Sequence, residues 1–243
     1  MKKIIKNLLR RGGYAINSVK DHPDPFLDQL KLIGKGSSTI IFDVGAHHGQ
    51  TALKYQQIFR DCIIYSFEPF LESYILFNNN VKDFKNVKGF NIALGNSIGE
   101  ENFYINKFSA TNSLLPTHKE GAAIWGNDQL ENVKTIKVST TTLDEFVKQH
   151  KIEKIDILKL DTQGTEYLVI EGARQAIQEG KIKLIYLEII TKPTYVNQKY
   201  LDEMLQLLRV ERFQLYNIYN HSLTDAGELR QVDALFIHQS FGS

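Results

Sequence analysis

Buried-strand patterns and helical patterns alternate between residues 39 and 92, and this order limits the fold more than any other feature of the sequence. Apolar runs occur at Thr39–Val44, Cys62–Phe67 and Val87–Ile92. Helical patterns run between them, from Gln50 to about Phe59 and from Leu71 to about Asn79. Strand, helix and strand in succession predict parallel strands that are joined by helical crossovers.

The same alternation resumes after residue 140. Helical patterns and strand patterns follow one another to the end of the chain: helix Thr141–His150, strand Ile155–Leu160, helix Thr165–Glu171, strand Leu184–Ile190, helix Tyr200–Leu208, and strands Arg212–Ile218 and Ala234–His238. About fifteen residues without a strong helical pattern separate the last two strands, which favours an antiparallel hairpin. We therefore predict an α/β, Rossmann-like fold. It has a mostly parallel sheet of about seven strands with an antiparallel last strand, and helices cover both faces.

The middle of the chain breaks this rhythm. Glu101–Asn106 and Val133–Thr140 alternate like strands, while Lys107 to Glu131 is polar and without a clear period. A long irregular segment of this kind is usually a lid or a substrate loop. We predict an N-terminal helical extension at residues 1–36 and one Rossmann-like domain at residues 37–243, with a lid insertion at about 100–140.

Charge and cysteine content narrow the choice of partners and compartment. The formal net charge is +1, so no nucleic-acid partner is expected. The lone Cys62 cannot form an internal disulfide and suggests the reducing cytoplasm. Met1–Lys20 is basic and amphipathic; we expect a docked helix or a frayed end there, with membrane-surface contact as the less favoured alternative. The sequence leaves open whether the chain forms a homo-oligomer.

The turn after the first strand carries the strongest ligand signal. Asp43 ends that strand, and Gly45 and Gly49 flank a tight turn into the next helix, where a ligand can approach the backbone. A dinucleotide turn would need a third glycine and no acid, because pyrophosphate sits on the helix end. A carboxylate instead suits the ammonium and sulfonium charges of S-adenosyl-L-methionine. The alternative is an incidental turn.

Two further strand ends extend this predicted cofactor site. Glu68 ends the second strand, where a carboxylate can accept both ribose hydroxyls; the alternative is a surface acid. The third strand leads into the loop of Asn91 and Ala93, which should border the adenine. In the irregular segment, Thr111, Asn112 and Ser113 are candidate hydrogen-bonding contacts to donor or acceptor.

Acids at the ends of the later strands are the candidate catalytic groups. Asp161 is the first candidate for a general base, Glu188 the second and His118 the third. Gln163 can help to hold the donor and the acceptor together. The alternative for Asp161 is a helix N-cap, and Glu166 could equally complete a cap. No metal is expected, since adjacent His47 and His48 point in different directions and no further ligands complete a site.

These segments, taken in order from about Ile40 to His238, resemble the FkbM family of methyltransferases. The motifs that carry the resemblance are Asp43–Gly49, Phe67–Pro69, Ala93–Gly95, Lys159–Glu166, Gly172–Ala173 and Val232–Phe236. The resemblance implies a class I methyltransferase fold, S-adenosyl-L-methionine as donor, and usually O-methylation of sugars or other small hydroxylated products. It also adds Ala46, His47 and Pro69 to the predicted cofactor contacts. Two residues depart from the family pattern: His47 stands where Asn is common, and Gln163 where Glu is common.

Two other functions remain open at this stage. A nicotinamide-dependent oxidoreductase would have a similar nucleotide half-site, but Asp43 and the missing glycine argue against it. A non-catalytic module that binds an adenosyl ligand would also keep this fold. The acids at Asp43, Glu68 and Asp161 favour an enzyme.

Overall fold

The computed structural model describes residues 23–34, 38–126 and 128–241. The predicted basic N-terminal segment, Met1–Lys20, lies outside the described residues. The first described helix, α1, spans Pro25–Ile33 and is capped by Asp24, whose carboxylate accepts hydrogen bonds from the N–H groups of Phe26 and Leu27.

Ten strands and eight α-helices, counted over the described residues, follow the predicted order with additions. The strands are β1 (Thr39–Val44), β2 (Cys62–Phe67), β3 (Val87–Phe90), β4 (Ala93–Gly95), β5 (Gly99–Asn106), β6 (Asn132–Thr142), β7 (Ile155–Leu160), β8 (Ile182–Ile190), β9 (Phe213–Leu223) and β10 (Leu229–His238). The helices after α1 are α2 (Gln50–Ile58), α3 (Leu71–Val81), α4 (Gly121–Trp125), α5 (Leu143–Gln149), α6 (Glu166–Glu171), α7 (Arg174–Gln178) and α8 (Leu201–Val210).

The main sheet has seven strands in the order β3-β2-β1-β7-β8-β10-β9. The pairs from β3 to β8 are all parallel, whereas β10 runs antiparallel to both β8 and β9. The predicted mostly parallel sheet with an antiparallel last strand is therefore confirmed. In the register of β1, Asp43 lies between Ser66 of β2 and Lys159 of β7.

Alternate side chains of the central strands fill two separate apolar layers, one on each face of the sheet. On β1, Ile41 belongs to one layer and Phe42 to the other, and on β7 the same division separates Ile157 from Leu158. All four side chains are fully buried. This burial on both faces explains why these strands are nearly continuous apolar runs.

The structure corrects the predictions for the middle of the chain. The Ala93–Gly95 segment, predicted as a loop, is a short strand, and it joins β5 and β6 in a second sheet of order β4-β6-β5. The segment 107–131 is not structureless, because it contains a 3₁₀ turn at Ser109–Thr111 and helix α4. Helix α7 was not predicted.

The end of the chain differs in length from the prediction. Strands β9 and β10 both extend further than predicted, so only residues 224–228 connect them, rather than about fifteen. Within the described part of the chain, no helix is both long and apolar enough to cross a membrane.

Candidate active site at the carboxyl ends of the parallel strands

A cavity of about 360 Å³ lies at the carboxyl ends of β1, β2, β7 and β8. One side of it is closed by the segment 107–131, through residues from Phe108 to Gln129. Ten of the predicted site residues line it: Gly45, Ala46, His47, Glu68, Pro69, Ala93, Asn112, Asp161, Gln163 and Glu188. The topology thus brings together residues that are up to 143 positions apart (Gly45 to Glu188), as expected where parallel strands end at one edge.

The turn after β1 needs glycine for a reason that the sequence did not reveal. Gly45 has a φ of 77°, and a Cβ at this position would lie 1.8 Å from the carbonyl oxygen of Asp161. The β1 turn and the β7 turn are therefore in direct backbone contact. Gly49, with a φ of 89°, packs against Phe77 and Val81 and lies outside the cavity lining. Both glycines serve chain packing; Gly45 also lines the cavity, so ligand approach stays a prediction for Gly45.

An ion pair beneath the cavity joins β1 to β7. Lys159 Nζ lies 3.0 Å from Asp43 Oδ1 and 3.7 Å from Asp161 Oδ2, and it donates a hydrogen bond of 3.0 Å to the carbonyl of Gly45. Burial opposes the charge on Lys159, but the two carboxylates outweigh it and raise the pKa of Lys159. Burial also raises the pKa of Asp43, and the ammonium group offsets part of that effect.

Asp43 is therefore an internal partner of Lys159 and does not line the cavity. Its side chain is 0 % exposed. Removing Lys159 would leave the buried charge of Asp43 without compensation, which is strongly destabilising. Sequence reasoning missed Lys159, although a lysine inside the apolar run Ile155–Leu160 was a usable signal.

Glu68 ends β2 and faces the cavity with a carboxylate that is already oriented. Its Oε2 accepts a 2.8 Å hydrogen bond from the N–H of His47, and its Oε1 accepts one of 2.9 Å from the N–H of Phe70. Burial raises the pKa of Glu68 to about 7, although both backbone bonds oppose the shift. Asn91 braces this turn by donating to the carbonyls of Glu68 and Pro69, and it lies outside the cavity lining.

His47 links the first turn to the segment that covers the cavity. Its φ is 47°, an uncommon value for a residue other than glycine. Its Nε2 lies 2.9 Å from Ser109 Oγ, and its ring stacks on that of His48 with 3.6 Å between the centroids. Burial, followed by the neighbouring His48, lowers the pKa of His47 to about 4, so the imidazole is neutral at physiological pH.

Asp161 and Glu188 are bridged by one amide. Gln163 Nε2 donates to Asp161 Oδ1 at 2.9 Å and to Glu188 Oε2 at 3.0 Å, while Gln231 Nε2 donates to Glu188 Oε1 at 2.8 Å. Burial raises the pKa of Glu188, and the Asp161 charge raises it further. A glutamine at position 163 can make this bridge, whereas a glutamate would add a third carboxylate.

The structure settles the capping alternatives for the β7 turn. Helix α6 begins at Glu166 after an N-cap at Thr165, and Asp161 makes no capping bond there. Glu166 turns back and accepts hydrogen bonds from the N–H groups of Thr162 and Gly164. The N-cap hypothesis for Asp161 is therefore wrong, and Glu166 braces the β7 turn rather than completing a cap of the helix.

The segment 107–131 is fastened over the cavity by hydrogen bonds. Ser113 Oγ donates to the carbonyl of Gln163 at 2.7 Å, and Tyr195 Oη lies within hydrogen-bonding distance of both Thr111 O (2.8 Å) and Gln163 Oε1 (2.9 Å). Asn112 Oδ1 accepts from the N–H of Asn106. Asn112 is a residue of the cavity lining, and its Nδ2 is buried with no hydrogen-bond partner among the described residues.

Four of the predicted cofactor residues lie outside the cavity lining: Asp43, Gly49, Asn91 and Ser113. His118, the third candidate base, is also outside it; its Nδ1 accepts from the N–H of Glu120. The lining also includes eight polar residues that sequence reasoning did not assign to the site: Gln50, Thr51, Ser109, Gln129, Lys159, Thr162, Thr165 and Gln231. Gln231 belongs to β10, which reaches the site only because it pairs antiparallel with β8, so no local sequence pattern could reveal it.

Comparison with known proteins relates this architecture to one family. A family model described as the methyltransferase FkbM domain matches residues 43–215. The 2-O-methyltransferase NoeI of Sinorhizobium fredii (strain NBRC 101917 / NGR234) is 23% identical over 175 residues, which cover 70% of each chain.

One solved structure of low sequence identity shares the fold, and a second is similar to a smaller degree. The METTL16 methyltransferase domain superposes with a TM-score of 0.50 at 12% identity, over 97% of this chain and 77% of that one. Fibrillarin from Aeropyrum pernix in complex with natively bound S-adenosyl-L-methionine has a TM-score of 0.47 at 13% identity, over 87% and 74% of the two chains.

Proposed function

The chain belongs to the FkbM methyltransferase family and has the class I methyltransferase fold, and on that premise we propose that it transfers a methyl group from S-adenosyl-L-methionine to a hydroxyl group of a sugar or another small hydroxylated compound. The observation that carries the proposal is that the carboxyl groups of Glu68 and Asp161 line the same cavity. We assign the Glu68 carboxylate to the ribose of the donor and the Asp161 carboxylate to the reacting hydroxyl.

The cavity residues fit the donor in polarity as well as in position. Glu68 offers a hydrogen-bond acceptor whose two oxygens are fixed by backbone N–H groups. Asn112 Nδ2 is a buried donor without a partner among the described residues, and a ligand oxygen would satisfy it. Ala93 and Ile92 leave an apolar wall beside Glu68 for a flat ring. The carboxylate of Asp161 complements a cationic ligand.

In this mechanism the chain aligns the two substrates and accepts a proton. When bound, S-adenosyl-L-methionine supplies the methyl group that the acceptor oxygen takes from sulfur. Asp161 is the proposed base, and Gln163 holds its Oδ1 so that the carboxylate keeps one orientation. Glu188 accepts hydrogen bonds on both of its oxygens, and its raised pKa favours the protonated form, so we assign it to acceptor binding.

Calorimetry with separate ligands tests the donor assignment. We expect binding of S-adenosyl-L-methionine and S-adenosylhomocysteine, and no binding of NAD. Tight binding of NAD without a response to either adenosyl ligand would instead support the oxidoreductase alternative and overturn the proposal.

A screen for methyl transfer tests the acceptor class. Incubation with methyl-labelled S-adenosyl-L-methionine and a panel of sugars and alkyl alcohols should label a hydroxyl oxygen. Nucleic acid is expected to stay unlabelled, because the chain has a net charge of only +1. Action in the cytoplasm stays a prediction from the lone Cys62. Labelling of nitrogen or carbon would contradict O-methylation while leaving the family assignment intact.

A further inference from the structure

A second cavity of about 280 Å³ adjoins the first at the far side of Asp161. The two cavities share five lining residues: Gln50, Thr51, Lys159, Asp161 and Glu188. The walls that belong to the second cavity alone come from α1, α2, β8, β9 and β10, through Phe26, Lys54, Tyr186, Asn220 and Asp233, together with Leu160 of β7. It therefore extends from Asp161 toward the β8, β10 and β9 side of the sheet, away from Glu68 at the end of β2.

We propose that the second cavity binds the methyl acceptor through a hydroxylated group without negative charge, and that Asn220 and Asp233 select this group. The proposal rests on the proposed methyl transfer, because it assigns the first cavity to the donor.

The position of the second cavity supports this assignment. A methyl group passes directly between donor and acceptor, so the two binding sites must meet at the reacting atoms. The two cavities meet at Asp161 and Glu188, one of which is the proposed base. The first cavity is also at the small end of the roughly 300–1,000 Å³ that is usual for one small ligand, which leaves little room for a second.

Asp233 and Asn220 form a built polar wall. Asp233 Oδ2 accepts hydrogen bonds from Tyr186 Oη at 2.6 Å and from Asn220 Nδ2 at 2.7 Å. No residue of the described segments donates to Asp233 Oδ1, which remains available to a ligand hydroxyl. A fixed carboxylate beside an amide can recognise neighbouring hydroxyl groups, which are both donors and acceptors.

Irregular backbone places Asn220 at this wall. The register of β9 against β10 shifts between the pairs Gln231–Ser222 and Asp233–Tyr219, so β9 holds one extra residue there. Asn220 lies in this bulge with a φ of 46°. Bulges commonly redirect a side chain beside a functional site. A left-handed backbone conformation costs free energy in a residue other than glycine, and the fold retains it at Asn220.

The charge of the lining disfavours anionic acceptors. Three carboxyl groups, those of Asp161, Glu188 and Asp233, face two ammonium groups, those of Lys54 and Lys159. Lys159 is already paired with the buried Asp43, so its charge is not available to a ligand. Burial raises the pKa of both Glu188 and Asp233, so Asp161 remains as the carboxylate opposite Lys54, and the lining offers a ligand carboxylate or phosphate no net attraction.

Part of the wall specific to the second cavity lies where the family model does not reach. Phe26 and Asn220 fall outside both residues 43–215 and the motifs that carry the family resemblance, whereas Lys54, Leu160 and Tyr186 fall inside residues 43–215. Donor binding is common to such a family, and acceptor choice differs among its members. The second cavity therefore combines a shared reacting centre with a wall that is outside the family pattern at Phe26 and Asn220.

Acceptor binding is measured first with defined probes. Saturation-transfer NMR with methyl glucoside and methyl glucuronide, in the presence of S-adenosylhomocysteine, should show contact for the neutral glycoside and little for the acidic one. Preferential binding of the glucuronide, or of neither glycoside by protein that binds S-adenosylhomocysteine, would overturn the proposal. Absence of S-adenosylhomocysteine binding would be a failure of the proposed function instead.

Variants then locate the site. Asn220→Ala and Asp233→Asn should each weaken acceptor binding or raise its KM about fivefold, which is the loss expected for one hydrogen bond, with calorimetric affinity for S-adenosylhomocysteine unchanged. Gln214→Ala removes an exposed amide from the same strand, outside both cavities, and serves as the matched control. If Gln129→Ala, at the covering segment, weakens the acceptor and Asn220→Ala does not, the acceptor enters the first cavity and the proposal is wrong.

Discussion

Glu68 illustrates how burial and hydrogen bonding set the state of one carboxyl group. It is 7 % exposed, and the loss of water raises its pKa to about 7 in spite of two backbone N–H donors. Between about pH 4.5 and pH 7 the folded protein thus holds a proton that the unfolded chain has released. In this window Glu68 makes the fold less stable as the pH rises.

Donor binding should follow the opposite trend. The ionised Glu68 is the better acceptor for ribose hydroxyls, so affinity for S-adenosylhomocysteine should increase from about pH 6 to about pH 8, with proton release on binding. Calorimetry in two buffers of different ionisation enthalpy measures both quantities. Glu68→Gln should bind about tenfold more weakly at about pH 8 and lose the pH dependence. An unchanged pH profile in Glu68→Gln would assign the titration to another group.

Asp161 should matter for turnover more than for binding or stability. Asp161→Asn retains a side chain that can contact Gln163 but removes the charge of the proposed base. We expect turnover to fall by about 10²-fold or more, S-adenosylhomocysteine affinity to stay within a few-fold, and unfolding in urea to change by no more than about 1 kcal/mol.

Asp202, an exposed acid in the first turn of α8, provides the comparison for this experiment. Asp202→Asn should alter neither rate nor affinity. Wild-type turnover in Asp161→Asn would transfer the role of base to Glu188.

At the scale of elements, periodic patterns predicted most of the main sheet, and the errors have local causes. Strands β1, β2 and β7 were predicted with the bounds that the structure has, because they are buried on both faces and their apolar runs end abruptly. β4 was missed because three residues, Ala93–Gly95, carry too little pattern. The extension of β9 was missed because Tyr219–Leu223 is polar and pairs across an irregular register.

The residues of the candidate site divide in the same way: the sequence pattern predicts some of them, and tertiary contacts supply the others. Residues at strand ends, such as Glu68 and Asp161, were predicted because their place in the fold fixes their surroundings. Partners that arrive through tertiary contacts were not: Tyr195 comes from the loop after β8, and Gln231 from the inserted strand. Whether such residues reach the site depends on the pairing of distant segments of the chain, and a single sequence does not show that pairing.

Gly45 should be far less replaceable than its backbone angle alone implies. Gly45→Ala adds a Cβ that would collide with the carbonyl of Asp161, in addition to left-handed strain. Gly227 has a similar φ of 80° with nothing within 4 Å of the added Cβ. Urea unfolding should therefore show a loss of about 1–2 kcal/mol for Gly227→Ala. It should show at least about 2 kcal/mol more for Gly45→Ala, together with lost ligand binding. Equal losses would mean that the β7 turn moves aside easily.

At the scale of the whole molecule, the cover of the cavity is held by a distant loop as well as by the adjacent strand β5. The N–H of His118 bonds Thr194 O, the N–H of Val196 bonds Pro116 O, and Trp125 Nε1 bonds Thr194 Oγ1. These hydrogen bonds thus join the segment 107–131, which covers the first cavity, to the loop after β8. Opening of the cavity requires these contacts to break.

Tyr195→Phe should loosen this cover without unfolding the domain. The substitution removes the hydroxyl that lies between Thr111 O and Gln163 Oε1. Hydrogen exchange of residues 108–115 should become about fivefold faster, while amides of β1 and β7 stay protected. Tyr216→Phe, on the outer strand β9, should leave the exchange rates of both regions unchanged. Uniform acceleration in Tyr195→Phe would indicate global destabilisation instead.

The insertion of β10 between β8 and β9 has a consequence for synthesis on the ribosome. The nascent chain delivers β8 and β9 before the strand that separates them, so both expose unpaired backbone edges until residues 229–238 have left the exit tunnel. Gln231 and Asp233 arrive on that same strand. The half of the sheet that forms the second cavity can close only after translation of β10, whereas β1 and β2 can pair much earlier.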